Sequence, residues 1–247
     1  MSGRQASVAI VGAGDFIGAA IARRFAAEGY LVHGGRRQGD KLQPLEKEIA
    51  ASGGSFTGHT LDARSEEAVG AFLRAADGSA PLEVCIFNVG ANVNFPLLET
   101  TERVFRKVWE MACYAGFLTG REAARLMLAR GGGSIFFTGA TASMRGAKGY
   151  AAFASAKAAL RAAAQSMARE LAPQNIHVAH LVIDSGVDTA WVRERIAAAR
   201  GPDAEAALPP DTLMNPASIA ETYWQLHRQP RDAWTHELDL RPFAENW

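Results

Sequence analysis

This 247-residue sequence has few cysteines and no excess of charge of either sign. Its two cysteines are Cys85 and Cys113, and Cys85 lies within an apolar run that is typical of a strand. So small a number excludes a disulfide framework and predicts reduced thiols in an intracellular setting. Lysine plus arginine total 26 and aspartate plus glutamate total 26, so the net charge is zero. We therefore expect a small-molecule partner, because nothing attracts the chain generally to nucleic acid or to an acidic membrane.

Long hydrophobic runs, repeats and low-complexity segments are also missing from the sequence. The first seven residues lead directly into a short apolar stretch, which is far below the length of a signal peptide or a membrane span. We therefore expect a cytoplasmic protein with no membrane segment. No cluster of metal-ligating residues is visible, and no linker divides the chain, which favours a single domain over residues 1–247.

What the sequence does contain is a regular alternation of strand and helix patterns. Val8–Val11 is typical of a buried strand, and apolar residues then recur at helical spacing at Ile17, Ile21 and Phe25. Such alternation predicts a single-domain α/β fold, a doubly wound parallel sheet with helices on both faces. Further strands are expected at residues 30–35, 55–61, 82–88, 134–138 and 176–183, with a last strand after 236, and helices at 41–51, 65–76, 101–130 and 150–172. The pattern loosens over residues 188–216, a candidate substrate lid.

A glycine-rich turn joins the first strand to the first helix. Gly12, Gly14 and Gly18 give small residues where a backbone must approach a pyrophosphate, and Phe16 and Ile17 lie at the helix N-terminus, which offers free amides. The alternative is a tight turn that needs glycine only for its backbone angles. Phe16 stands where such turns commonly have glycine. The neighbouring Asp15 either places a negative charge near the phosphates or caps the helix.

The ends of the next strands carry further candidate cofactor contacts. Arg36 follows the second strand, where an acidic residue would hold the ribose of NAD and an arginine would hold the 2′-phosphate of NADP, so NADP(H) is favoured over NAD(H). A solvated loop is the alternative for Arg36. Asp62 follows the third strand and is either an adenine contact or a helix cap. Asn88 and Gly90 follow the fourth strand, where glycine permits close packing against the adenosine half of a dinucleotide.

Together these residues resemble the short-chain dehydrogenase/reductase family from Val8 to about Trp191. The signatures fall in family order: the glycine turn, Asp62, the Asn88-x-Gly90 segment, Lys157 in its helix, and a strand exit that ends at Thr189. The resemblance implies a sheet of about seven strands, a nicotinamide cofactor and self-association as a dimer or tetramer through the long helices at 101–130 and 150–172. It also implies that Lys157 orients the cofactor ribose and that Gly186 and Thr189 lie near the nicotinamide.

The family's usual catalytic group is asparagine, serine, tyrosine and lysine, and only the lysine is present. The asparagine position falls on Cys113, the serine on Ala140 and the tyrosine on Phe153, four residues before Lys157. Phenylalanine cannot donate a proton, so tyrosine-driven carbonyl reduction does not follow from the resemblance. In addition, Ser185 replaces the proline of the family's strand exit.

Tyr150 is the candidate replacement for the missing acid. It lies seven residues before Lys157, which would place both on one face of a helix, two turns apart. The spacing resembles that of the divergent enoyl reductases of the same superfamily, in which the tyrosine meets a thioester oxygen. The alternative is an aromatic residue that starts the helix and packs against the lid.

Two hypotheses for function follow. In the first, the chain is an NADP(H)-dependent oxidoreductase with a non-standard active site, in which Lys157 and Tyr150 act on a small carbonyl, alcohol or enoyl substrate. In the second, it is a catalytically silent homologue that binds a nucleotide or forms oligomers. Cys113 is expected to pack in the core, since no histidine lies near it in sequence.

Overall fold

A computed structural model describes residues 6–245 of the protein. Its centre is one sheet of seven parallel strands in the order β3-β2-β1-β4-β5-β6-β7. The predicted doubly wound parallel sheet is therefore confirmed. The strands are β1 Ser7–Val11, β2 Leu31–Arg36, β3 Ser55–Thr60, β4 Leu82–Phe87, β5 Gly133–Thr138, β6 Ile176–Ile183 and β7 Glu237–Leu240.

Helices cover both faces of the sheet because successive strand residues point in opposite directions. Val8 and Ile10 pack in one core, with side chains of α1, α2 and α9. Ala9 and Val11 pack in the other, with side chains of α3, α5 and α6. The helices are α1 Ile17–Ala27, α2 Gln43–Ala51, α3 Glu66–Ser79, α4 Glu102–Trp109, α5 Ala115–Arg130, α6 Ala151–Leu171, α7 Ala190–Arg200, α8 Pro202–Ala206 and α9 Pro216–His227.

The structure differs from the sequence-based expectation in two elements. The single helix expected over 101–130 is interrupted by a π-helical turn, Glu110–Tyr114, between α4 and α5. An inserted turn of this kind leaves the apolar periodicity nearly intact, so pattern alone does not reveal it. The helix α9 over residues 216–227 was also not predicted. The Asn215 side chain caps this helix by accepting a hydrogen bond from the Ala217 amide.

The carboxyl ends of β1 to β6 form one edge of the sheet, and residues 188–216 fold beside it. The segment contains α7 and α8 and returns to pair Met214 with Val187 next to the exit of β6. Its function as a lid stays a prediction. Within residues 6–245 no helix has the length and apolar character needed to span a membrane, and no three metal-ligating side chains of that range cluster together.

Candidate active site

Gly12 brings the first turn into contact with the end of β4. It has a left-handed backbone, with φ +96°, and a Cβ at this position would lie 2.6 Å from the carbonyl oxygen of Asn88. The amides of Gly12 and Ala13 donate to the carbonyl of Gly35, at 2.9 and 3.0 Å. The turn is therefore closed against both neighbouring strands, and only glycine fits at its first position.

The turn then leads into an uncapped helix. A Cβ on Gly14 would have no atom within 4 Å, whereas one on Gly18 would lie 2.6 Å from the carbonyl oxygen of Gly12. Phe16 precedes α1, which begins at Ile17, and provides no side-chain cap for its first amides. An open glycine beside an uncapped helix N-terminus is suited to a phosphate group, so the turn fits the cofactor that the resemblance implies.

A first cavity of about 500 Å³ lies at the ends of β1 to β4, and among the described residues three arginines and one carboxylate, that of Asp62, line it. Arg36 lines this cavity and pairs with Asp15, with 2.5 Å between Nη1 and Oδ1. Arg64 binds Asp62 through both carboxylate oxygens, at 2.9 and 2.6 Å. Two of the three arginines that line the cavity are thus already paired, and the third, Arg37, is exposed.

Asp62 is held in its charged form by these arginines. The hydrogen bond from the Arg64 side chain, with further help from the Arg64 amide and the charge of Arg37, holds the pKa of Asp62 below its ordinary value. The α3 helix is capped by Ser65, whose hydroxyl accepts from the Ala68 amide at 3.2 Å. The alternative interpretation of Asp62 as the helix cap is therefore wrong, and its side chain lies at the cavity instead.

A second cavity of about 490 Å³ adjoins the first and continues past the ends of β5 and β6. Its wall combines the glycine turn, the ends of β4 to β6 and the start of α7. The two cavities together collect every predicted cofactor-binding residue at one edge of the sheet. The first holds Arg36 and Asp62, both hold Gly12, Gly14, Asn88 and Gly90, and the second holds Phe16, Ile17, Gly18, Lys157, Gly186 and Thr189.

Lys157 lies in the wall of the second cavity with its side chain 3% exposed. Its Nζ donates to the carbonyl oxygens of Thr138, at 2.8 Å, and Val89, at 3.3 Å. Burial lowers its pKa to about 8. The ammonium therefore joins α6 to the ends of β4 and β5 and is not solvated.

Asn88 links the glycine turn to a polar network beneath the cavity. Its Nδ2 donates to the carbonyl of Gly12 at 3.0 Å, and its Oδ1 accepts from the Thr138 hydroxyl at 3.0 Å. The hydroxyl of Tyr223, in α9, lies 2.6 Å from the Thr138 hydroxyl. Burial raises the pKa of Tyr223. Tyr223 was not predictable as part of this network, since it lies 85 positions from Thr138 in a helix without a predicted start.

Phe153 and Ala140 both line the second cavity. Phe153 is 6% exposed, and the Lys157 ammonium lies 5.9 Å from the centre of its ring. Cys113 lies in the π-helical turn and is buried, and burial raises the pKa of its thiol. It packs in the same apolar cluster as Phe153, as expected for a core residue.

Tyr150 lies outside α6, which begins at Ala151, and caps it without a side-chain hydrogen bond. Its ring packs on that of Phe153, with 6.5 Å between the ring centres, and it is not among the described residues that line either cavity. The role of Tyr150 as the acid stays a prediction, and the position of its ring does not support it.

The exit of β6 completes the second cavity. A Cβ on Gly186 would lie 2.9 Å from the end of the Leu213 side chain, so Gly186 packs directly against residues 188–216 where they fold back. Thr189 accepts from the Val192 amide at 3.1 Å and caps α7. The Ser185 hydroxyl donates to Glu245 at 2.6 Å. Trp191, at the start of α7, also lines this cavity.

Comparisons with known proteins agree with this geometry. A family described as short chain dehydrogenase matches residues 6–199. The 3-oxoacyl-[acyl-carrier-protein] reductase MabA of Mycobacterium tuberculosis is 30% identical over 188 residues, which cover 76% of this chain and 71% of that protein.

Solved structures resemble the whole chain. A short-chain dehydrogenase from Rhodopseudomonas palustris is 60% identical, with a TM-score of 0.84 over 97% of this chain and 100% of that one. A variant of actinorhodin polyketide ketoreductase, solved with NADPH, has a TM-score of 0.87 over 99% of this chain and 100% of its own, at 24% identity. This second likeness concerns the fold alone.

Proposed function

The chain belongs to the short-chain dehydrogenase family, and on that basis we propose that it is an NADP(H)-dependent oxidoreductase that acts on a small carbonyl, alcohol or enoyl substrate through a non-standard active site. The observation that carries the proposal is the pair of adjoining cavities at the carboxyl edge of the sheet. In open α/β sheets, ligands bind in such a crevice outside the carboxyl ends of the strands.

Different residues around the cavities would bind different parts of a dinucleotide. The turn at Gly14 and the N-terminus of α1 would accept the pyrophosphate, and Arg36 would bind a 2′-phosphate beside the adenosine. Lys157 would orient the ribose next to the nicotinamide, and Thr189 would contact the nicotinamide amide. When bound, the cofactor supplies or accepts the hydride, and the chain provides its orientation.

The preference for NADP(H) is supported by charge. The end of β2 carries Arg36 and Arg37 and no carboxylate, so a ribose without a phosphate has no acidic partner there. Arg64 adds a third guanidinium to the same cavity. The Asp15–Arg36 pair opposes this preference, because a phosphate must compete with a carboxylate for the same guanidinium.

A binding titration tests the proposal directly. NADPH and NADH are titrated calorimetrically into the full chain, its Arg36→Ala variant and a control, Arg231→Ala, in the turn before β7. We expect wild type and the control to bind NADPH more tightly than NADH. Loss of the Arg36 guanidinium should weaken NADPH by about tenfold and NADH little, since a charged hydrogen bond contributes about 1.5 kcal/mol. No binding of either nucleotide would reject the proposed function.

A catalytically silent nucleotide-binding protein is the second candidate. It is favoured by the cavity wall at Phe153 and Ala140, where neither side chain carries an exchangeable proton. Binding of NADPH together with no oxidation by carbonyl, enoyl or quinone acceptors would support this candidate over the enzyme.

Self-association through α4, α5 and α6 is part of the proposal. Trp109, Tyr114 and Phe117 form a row of stacked rings, with centres 6.1 and 6.5 Å apart, along α4, the π turn and α5. Trp109 and Phe117 are each about 40% exposed. An apolar row of this kind suits a contact with a second copy of the chain.

A further inference from the structure

The second cavity has an unusual combination of groups for a site that reduces carbonyls. Among the described residues that line it, the ionisable ones are Asp15 and Lys157. Its aromatic lining consists of Phe153 in the wall and of Phe16 and Trp191 at more exposed positions, 38% and 47% accessible. A planar, largely apolar substrate fits such a lining, because aromatic rings prefer offset stacked or edge contacts.

The hydroxyl groups of the lining are already engaged. Thr138 donates to Asn88, and Ser185 donates to Glu245. Thr189 accepts from the Val192 amide and caps α7. Ser185 already donates its proton to the Glu245 carboxylate, and none of these hydroxyls is paired with a cation that would make it a proton donor in the way that a tyrosine beside a lysine is.

This arrangement restricts which hydride acceptors can react. Hydride addition to an ordinary ketone generates an alkoxide, whose basicity is close to that of hydroxide, and a positioned acid assists the step by about 10²- to 10⁴-fold. Hydride transfer to a quinone oxygen instead leaves the negative charge on the other oxygen, as the anion of a phenol-like hydroxyl with a pKa of about 10 against about 15.7 for water. The second product is stable as an anion, so it needs no proton from the protein during hydride transfer.

Lys157 is placed to favour an anionic product. Its ammonium is buried beside Phe153, and it uses two of its protons on the carbonyls of Val89 and Thr138. A positive charge held by the backbone in an apolar wall stabilises an oxyanion in the same cavity.

We propose that the substrate of this site is a quinone, a conjugated cyclic dione whose reduced oxygen is a weakly basic anion; the inference rests on the proposed function as an NADP(H)-dependent oxidoreductase. The C–H bond of the reduced nicotinamide breaks and an O–H bond forms at one quinone oxygen, so that two electrons and one proton are transferred as hydride. The quinone ring becomes aromatic and its other oxygen takes the negative charge, which gives the oxidised nicotinamide and the hydroquinone monoanion. Solvent then supplies the second proton.

Two acceptors of the same bicyclic size test the inference: 1,4-naphthoquinone and the ketone 1-tetralone. NADPH oxidation by the full chain is measured without oxygen, with the uncatalysed rate subtracted and NADPH binding measured separately. We expect kcat/KM for the quinone to exceed that for the ketone by at least 10³-fold. Equal values, or NADPH binding without quinone turnover, would overturn the inference and leave the cofactor assignment intact. No NADPH binding would reject the proposed function and the inference with it.

Variants at Phe153 separate proton donation from shape. Phe153→Tyr should raise kcat/KM for 1-tetralone by about 10²-fold or more and change that for the quinone by less than about tenfold. Phe153→Leu, which alters the space without adding a hydroxyl, should leave the preference for the quinone in place. If Tyr150→Phe abolishes quinone reduction, the site has its own phenolic acid and the inference is wrong.

Discussion

Replacing Asp15 by asparagine should tighten the binding of NADPH and leave that of NADH nearly unchanged. Asp15 is largely exposed, and its carboxylate lies 2.5 Å from the guanidinium of Arg36. A 2′-phosphate that binds Arg36 must displace this carboxylate or share the guanidinium with it. NADH has no phosphate at this position, so the pair does not oppose it.

The magnitude follows from two contributions. An exposed ion pair contributes about 0.2–1 kcal/mol, which the phosphate must overcome. A carboxylate about 5 Å from a doubly charged phosphate adds a repulsion of roughly 1 kcal/mol in water at physiological ionic strength. Together they amount to about 1–2 kcal/mol, so Asp15→Asn should lower the Kd of NADPH roughly 5- to 30-fold.

Calorimetric titration at low and high salt is the assay, with Asp232→Asn as the control because Asp232 is exposed in the turn before β7. The increase in NADPH affinity caused by Asp15→Asn should be smaller in high salt, since much of it is electrostatic. It should also diminish when Arg36→Ala is combined with Asp15→Asn. Equal tightening of NADPH and NADH, or no change in either, would refute the reasoning.

Three further predictions concern the scaffold. Gly12→Ala should lower the free energy of unfolding in urea by more than about 2 kcal/mol, because the added Cβ would lie 2.6 Å from the Asn88 carbonyl oxygen. Gly14→Ala is the control: a Cβ there has no atom within 4 Å, so the free energy of unfolding should be nearly unchanged. Burial lowers the pKa of Lys157 from 10.5 to about 8, so between these pH values the unfolded chain binds more protons than the folded one. From pH 8 to 10.5 the free energy of unfolding in urea should therefore rise for wild type by on the order of 3 kcal/mol relative to Lys157→Met. Parallel pH dependences of the two free energies would contradict this. Phe117→Glu should reduce the oligomer to monomers in light scattering if the stacked aromatic row is an interface, and an unchanged mass would place the contact elsewhere.

Much of the fold was predictable because its signals are local. Ile176–Ile183 is buried along its whole length and matches the predicted strand residue for residue. The βα alternation was sufficient to predict a parallel sheet. The approach of Gly12 and Gly18 to a pyrophosphate stays a prediction, and in the structure a Cβ on either would lie 2.6 Å from a backbone carbonyl oxygen. The π turn at Glu110–Tyr114 was not predictable, because one wider turn hardly disturbs a helical pattern.

The sequence predicted which strand ends carry the residues of the candidate site, but it did not predict which side chains contact one another there. A sequence places Tyr150 and Lys157 seven residues apart, but the start of α6 at Ala151 leaves the tyrosine outside the helix and its ring on Phe153. Asp15 was expected near the phosphates or at the helix cap, and the structure adds a partner for it, Arg36, 21 positions away in the sequence. Local pattern carries no information on such partners.

By itself, the sequence determined the alternation of strands and helices, the glycines of the first turn, and the presence of Phe153 where an acid is expected. These properties depend on residue type and spacing along the chain. Only the tertiary structure decided that Asp15 pairs with Arg36, that the Thr138 and Tyr223 hydroxyls lie at hydrogen-bond distance, and that the Lys157 ammonium is buried against two backbone carbonyls. Each of these contacts joins separate segments, and its strength depends on burial and distance, which exist only once the sheet has brought the strand ends together.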